Sequence, residues 1–213
     1  VRMLGYDSED ELLDLDVAHD IYMDPDHRGN WTRAMQETGE VRNAELVLKR
    51  KDGTKIVVLE NSRAVSDADG RVLFYEGTLT DITASHELSQ QLSYEASHDA
   101  LTGLSNRREF ELRLQRALEL SQATGAEHAM LYLDLDRFKT VNDTSGHVAG
   151  DELLRQLGEV LQQRVRTNDV VARLGGDEFG VLLHNCKLED AQQVASNLLR
   201  TVDEFEFVWG SNK

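Results

Sequence analysis

The apolar positions change period as the chain proceeds. Ser8-Glu9-Asp10-Glu11 has the spacing of a capping box, and Leu12, Leu13 and Leu15 follow it, which predicts a short helix. Asp24-Pro25 reads as an N-cap with proline at the first helical position, leading into Trp31, Ala34 and Met35. After Gly39 the period becomes extended. Leu46-Val47-Leu48 leads to the turn Lys51-Asp52-Gly53-Thr54 and then to Ile56-Val57-Val58-Leu59. A second turn, Asp67-Ala68-Asp69-Gly70, precedes Val72-Leu73-Phe74-Tyr75 and Gly77-Thr78-Leu79-Thr80. Two helices and a three-stranded meander thus fill roughly residues 1–82.

Residues 84–98 are polar and free of glycine and proline, with Leu88, Leu92 and Ala96 four apart. This predicts a helix with one narrow apolar stripe. A short parallel coiled coil between two chains fits that stripe, and so does a helix lying against its own domain. A further helix is predicted on Phe110, Leu112, Leu114, Ala117, Leu118 and Leu120. Ala129 to Asp136 is almost continuously apolar until it turns acidic, the pattern of a buried central strand. Asp134 and Asp136 fall at its C-terminal end, where ligands sit in mixed sheets. Asn142 and Asp151 flank a glycine-bearing turn ahead of a helix carrying Leu153, Leu154, Leu157, Val160, Leu161 and Val165 on one face. Asp151 is also placed to be an ordinary cap of that helix. Val170-Val171-Ala172 and Val181-Leu182-Leu183 bracket Arg173-Leu174-Gly175-Gly176-Asp177-Glu178-Phe179, which predicts a β-hairpin with a tight turn. A last helix is expected around residues 189–203, ahead of Phe205-Glu206-Phe207-Val208-Trp209.

The 213 residues allow one large domain or two small ones, and 40% hydrophobic residues suffice for packed cores. A formal charge of −16 argues against nonspecific binding to nucleic acid or anionic lipid, because like charges repel. It leaves room for a nucleotide where metal ions intervene. The one cysteine, Cys186, excludes an internal disulfide and fits a reducing compartment. No apolar run has the length of a membrane span and no signal-peptide pattern opens the chain, so a cytoplasmic protein, or the cytosolic part of a larger one, is expected.

The chemistry concentrates at the predicted hairpin. Its tip presents Asp177 and Glu178, and the glycines allow a ligand close to the backbone. Adjacent carboxylates on a rigid tip suit a divalent cation, and a cation suits phosphate chemistry. For Asn142 and Asp151, a carboxylate accepts from the ring N–H and amino group of guanine together, while an amide both donates and accepts.

The first half resembles a PAS domain. The features that carry the resemblance are Met3-Leu4-Gly5-Tyr6, the Asp24-Pro25-Asp26-His27-Arg28 helix start, Lys51-Asp52-Gly53-Thr54 and Asp81-Ile82-Thr83. The first two strands of that family are not found here. PAS domains sense small ligands, bind haem or flavin, or only dimerise. His19 and His27 read as surface or capping residues rather than axial haem ligands. The absence of cysteine from this half disfavours a flavin-thiol photosensor, and the ligand stays unassigned.

The second half resembles a GGDEF domain, the catalytic unit of diguanylate cyclases. Three blocks match in order, Asp99–Arg108, Asp134–Leu154 and Arg173–Phe179, and together they cover most of residues 96–183. The resemblance implies an α+β fold related to nucleotidyl cyclases and the polymerase palm, condensing two GTP into cyclic di-GMP with release of pyrophosphate. It implies Mg²⁺ (or Mn²⁺) on Asp134 and Asp177 with the Leu135 carbonyl, Glu178 sharing or supporting that site, and Asn142 and Asp151 on guanine. The backbone of Arg137, Phe138 and Lys139 would cradle phosphates, with Gly175 and Gly176 against the nucleotide. Arg166-Thr167-Asn168-Asp169 has the Arg-x-x-Asp spacing of the family's inhibitory product site. The product is two-fold symmetric, so a homodimer with facing sites is expected.

The expected organisation is a PAS sensory domain over 1–83 lacking its first strands, a linker helix over 84–98, and a GGDEF domain over 99–213 lacking its C-terminal part. In the family, later strands and a helix bring basic residues to the triphosphate. The Phe-Val-Trp-Gly ending resembles chains that continue into an EAL phosphodiesterase domain. Three readings follow: a diguanylate cyclase under PAS control, a noncatalytic receptor for GTP or cyclic di-GMP, and a dimerising scaffold with a vestigial enzyme half. The first is favoured, since a vestigial site has no need of Asp134, Asp177, Glu178, Asn142 and Asp151 together.

Overall fold

The computed structural model describes residues 1–24, 26–207 and 209. The chain divides into two compact units, Val1–Gln90 and Gln91–Lys213.

In the first unit, α1 spans Glu9–Leu13 and α2 spans Asp26–Thr38. Ser8 Oγ accepts from the Glu11 N–H at 3.2 Å, while Glu11 Oε2 accepts from the Asp7 N–H at 3.0 Å. The reciprocal arm thus reaches one residue further back than a capping box requires. Asp24 Oδ1 accepts from the Asp26 N–H at 3.0 Å and starts α2; Pro25, expected at the first helical position, lies outside the described residues. The strands β1 (Glu40–Lys49), β2 (Lys55–Ser66) and β3 (Val72–Asp81) form an antiparallel meander in that order. Gly53 and Gly70 adopt φ of 85° and 82° in its two turns, which a side chain would oppose. The core is Leu4, Ile21, Tyr22, Leu48, Ile56 and Val58. Every residue of β3 is exposed.

Helix α3 (Thr83–Ser97) begins where Asp81 Oδ1 accepts from the Thr83 N–H at 3.0 Å. Leu88 and Leu92 on it are exposed. The division between the two units falls within this helix.

The second unit runs β4 (Ser105–Asn106), α4 (Arg107–Thr124), β5 (Ala129–Asp134), α5 (Phe138–Ser145), α6 (His147–Gln162), β6 (Val170–Gly175), β7 (Glu178–Leu183) and α7 (Leu188–Asp203). Its sheet has the order β4-β6-β7-β5, with β4 and β6 parallel and the other pairs antiparallel. Side chains alternate between two cores. Val171, Phe179, Val181 and Leu183 meet Leu154, Leu157 and Leu161 of α6 and Ala191 and Leu198 of α7. Val170, Ala172, Leu174 and Leu182 meet Phe110 and Ala117 of α4. Both faces of the hairpin are covered, which is why its strands are apolar at nearly every position away from Arg173 and Glu178.

One expectation is corrected. Ala129–Asp134 is not a central strand: among the described residues β5 is the outer strand, and Met130 and Tyr132 are exposed. On α4 only Phe110 and Ala117 are buried, with Leu114 packed beside them, because positions i, i+4 and i+7 make the contact stripe. Leu112, Leu118 and Leu120 lie off that stripe and are exposed. Among the described residues no helix is long and apolar enough to cross a membrane. In the Phe205–Trp209 run, Val208 lies outside the described residues.

Candidate functional site

The carboxylates gather at one end of the second sheet. Asp134, the last residue of β5, is the register partner of Glu178, the first residue of β7. Asp177 sits in the turn between β6 and β7, and its carbonyl accepts from the Leu135 N–H at 3.3 Å. Gly175 and Gly176 take φ of 145° and 54°, so a side chain at either would be strained. Asp177 and Glu178 are half-buried and Asp134 is exposed. The donors present are three carboxylates and the Leu135 carbonyl, which already accepts from the Phe138 N–H at 3.2 Å and keeps a second lone pair. An all-oxygen set of this kind fits a hard divalent cation. Among the described residues no three His, Cys, Asp or Glu side chains converge closely enough to hold a metal as they stand. Glu178 is instead paired with Arg107, Nη2 to Oε2, at 3.2 Å. As acceptor for the Tyr132 hydroxyl, the Glu178 carboxylate also raises the phenol above its ordinary pKa.

Beyond β5, Arg137 adopts a left-handed φ of 62° and opens α5 with no side-chain cap. Phe138 and Lys139 therefore form a helix N-terminus of the kind that attracts anions. Asn142 lies within α5, and its Oδ1 is buried without a hydrogen-bond partner. A Cβ on Gly150 would overlap that oxygen and come within 3.2 Å of Phe138 Cζ, so glycine makes the room. Asp151, the next residue, is exposed and lies past the first turn of α6, which opens at His147 after Gly146. The capping role open to Asp151 is thus not used.

Arg166 and Asp169 are brought together elsewhere, at the opposite end of the β6–β7 hairpin. Asp169 Oδ2 accepts from the Arg166 N–H at 3.1 Å and Oδ1 from the His184 N–H at 3.0 Å. Six residues of strand separate this end from the tip, about 20 Å. Burial, then the neighbouring His128, holds the His184 imidazole below its usual pKa. In the first unit, His19 Nδ1 is exposed beside Asp16 Oδ2 at 2.9 Å, whereas His27 Nδ1 is buried without a partner.

Three further residues reach the tip without having been singled out in the sequence. Arg107 and Tyr132 contact Glu178, and Asp99 meets Arg173 Nη1 at 3.2 Å. Burial pushes the Asp99 carboxyl up, but hydrogen bonds from Thr102 and the Arg173 charge outweigh it and leave the pKa lowered. Asp99 and Arg107 stand in a recognisable motif, yet nothing local links them to partners more than seventy residues away.

Residues 96–213 match the family described as diguanylate cyclase, GGDEF domain, and residues 1–84 match the PAS domain. The chain belongs to the GGDEF family, with a PAS domain preceding the GGDEF domain. It is 42% identical over 165 residues to the probable diguanylate cyclase DgcE of Escherichia coli (strain K12), covering 78% of this chain and 15% of that protein. The coiled coil and GGDEF domain of DgcB from Caulobacter crescentus, solved in complex with c-di-GMP, matches with a TM-score of 0.57 at 26% identity, over 62% of this chain and 70% of that one. Diguanylate cyclase SiaD from Pseudomonas aeruginosa, solved with its activator SiaC, matches with a TM-score of 0.54 at 35% identity, over 61% and 50%.

Proposed function

We propose that the second unit condenses two molecules of GTP into cyclic di-GMP, releasing pyrophosphate at each bond formed, and that the PAS unit governs how often it does so. The observation that carries this reading is the register pairing of Asp134 with Glu178, with Asp177 in the adjoining turn tied to Leu135. Membership in the GGDEF family and the all-oxygen donor set support it.

Asp134, Asp177 and the Leu135 carbonyl would hold the Mg²⁺ or Mn²⁺, with Glu178 sharing or supporting the site. When bound, such a cation lowers the pKa of the attacking 3′-hydroxyl and neutralises charge on the leaving pyrophosphate. The residues themselves bind and orient. Asn142 Oδ1, buried with no acceptor duty, would take a hydrogen from the guanine edge, and Asp151 would accept from its ring N–H and amino group. Backbone N–H groups of Arg137 and Lys139 would face phosphate at the start of α5, and the Phe138 N–H, which donates to the Leu135 carbonyl, would turn to join them when phosphate binds. Gly175 and Gly176 would let the nucleotide lie against the hairpin backbone. In each of two condensations the 3′-oxygen of one GTP loses its proton, bonds to the α-phosphorus of the other, and displaces pyrophosphate. Two copies would present their sites to each other. Arg166 and Asp169 would bind the product away from the reacting end, the arginine on phosphate and the aspartate on guanine.

The test is incubation with GTP and Mg²⁺ followed by chromatography for cyclic di-GMP, on this chain and on a longer form carrying residues beyond Lys213. Product from either form supports the cyclase. Tight GTP binding with no product from both would make this a receptor instead.

A further inference from the structure

The turn that carries Asp177 and Glu178 interrupts the ladder, because the β6–β7 register slips between Arg173 and Gly175. Two guanidinium groups meet its backbone carbonyls. Arg173 Nε donates to the Gly176 carbonyl at 2.9 Å, and its Nη1 lies against Asp99. Arg107 Nε donates to the Leu174 carbonyl at 2.7 Å, and its Nη2 donates to Glu178 Oε2 at 3.2 Å. Leu174 belongs to β6 and Glu178 opens β7, so one planar group joins both arms of the turn. The base of Arg107 is itself fixed. It is the first residue of α4 and follows Asn106, whose Oδ1 caps the helix by accepting from the Glu109 N–H at 2.9 Å. Asn106 Nδ2 donates to the Ala96 carbonyl at 3.0 Å.

We propose that Arg107 is a positioning residue for the candidate catalytic turn, holding the Glu178 carboxylate and the Leu174 carbonyl in one geometry. The catalytic consequence rests on the cyclase reading of Asp177 and Glu178; the bracing itself does not. The Arg107 and Glu178 side chains are 55% and 35% exposed, and pairs so open to water add little to global stability. What such a pair changes is local: it fixes where one carboxylate points. Arginine suits this task because its fork supplies two donors in fixed directions, whereas a lysine ammonium is a point charge on a flexible stem.

The experiment is hydrogen exchange on the whole chain, comparing wild type with Arg107→Ala, Arg107→Lys and Arg113→Ala. Arg113 is an arginine of the same helix paired only with Glu109 among the described ion pairs. Arg107→Ala is expected to speed exchange at Gly175–Glu178 by about tenfold or more, with the bodies of β6 and β7 unchanged. Arg107→Lys should be intermediate, since an ammonium holds its partners in no fixed directions, and Arg113→Ala should match wild type. In a form that turns over GTP, Arg107→Ala should lower kcat while KM holds, and adding it to Glu178→Gln should cost nothing more. Unchanged exchange in Arg107→Ala overturns the proposal, and so does full protection in Arg107→Lys. A raised KM with kcat intact also overturns it, making Arg107 a substrate ligand. If no variant, wild type included, turns over GTP, it is the cyclase reading that fails, and the exchange data still decide the bracing.

Discussion

In the sheet of the first unit, β2 buries Ile56 and Val58 on one face, and β3 beside it is exposed along its whole length. In the second unit, β6 and β7 are buried on both faces, with Ala172, Phe179 and Val181 fully enclosed. The difference shows what the tip would require under the proposed cyclase reading. A turn can hold carboxylates in place only if the strands leading to it cannot shift, and packing on two sides supplies that.

The sharpest way to break this contrast is to truncate one aromatic ring in each sheet. Phe179→Ala should destabilise the second unit by about 3–5 kcal/mol, as removal of a buried aromatic does. Phe74→Ala on β3 should fall within about 0.5 kcal/mol of wild type, since that ring is half exposed. Calorimetry of both variants measures the pair, and comparable losses would mean that β3 is covered in solution.

Next comes the tip against its supports. Asp177→Asn should lower cyclic di-GMP formation at least about a hundredfold while leaving the melting temperature within a few degrees. Near-normal turnover would remove Asp177 from the proposed metal site.

A smaller effect is expected at the proposed base pocket. Gly150→Ala should push Asn142 aside and weaken GTP about tenfold, and Asp151→Ala should weaken GTP more than ATP, because unpaired donors on guanine discriminate. Titration calorimetry with both nucleotides reads this. Equal loss for GTP and ATP would take Asp151 out of base recognition.

The smallest effect is electrostatic. The folded Asp99 carboxyl titrates below its ordinary value, so the unfolded chain binds the proton first as pH falls. Its contribution is therefore complete above the ordinary aspartate pKa of about 3.9 and is lost as pH falls through the lower folded value. Asp99→Asn should reduce stability at pH 7 and flatten the acid limb of a melting-temperature profile. A profile parallel to wild type would mean that the Arg173 contact adds no stability.

Much of this was legible in the sequence because it is local. Glycine turns between β-branched runs specify hairpins, so both meander turns and the 170–183 hairpin were placed with their residues. The motif blocks put Asp134, Asp177, Glu178, Asn142 and Asp151 in view by type and order. The apolar run of β5 points to a central strand, whereas β5 is the outer one among the described residues. An apolar run reports that a strand can be covered on two faces, and says nothing of which neighbours the topology supplies.

The sequence by itself determined the order of the two units, the hairpin, and the acids at its tip, since each depends on residues within one turn of each other. Only the tertiary structure decided that β5 lies outside β7, that Gly150 makes room for an unpartnered Asn142 oxygen, and that Arg107 closes on Glu178. Strand order and helix placement bring these groups together across long stretches of chain. Periodicity cannot express that choice, because it repeats every two or 3.6 residues and fades beyond a single element.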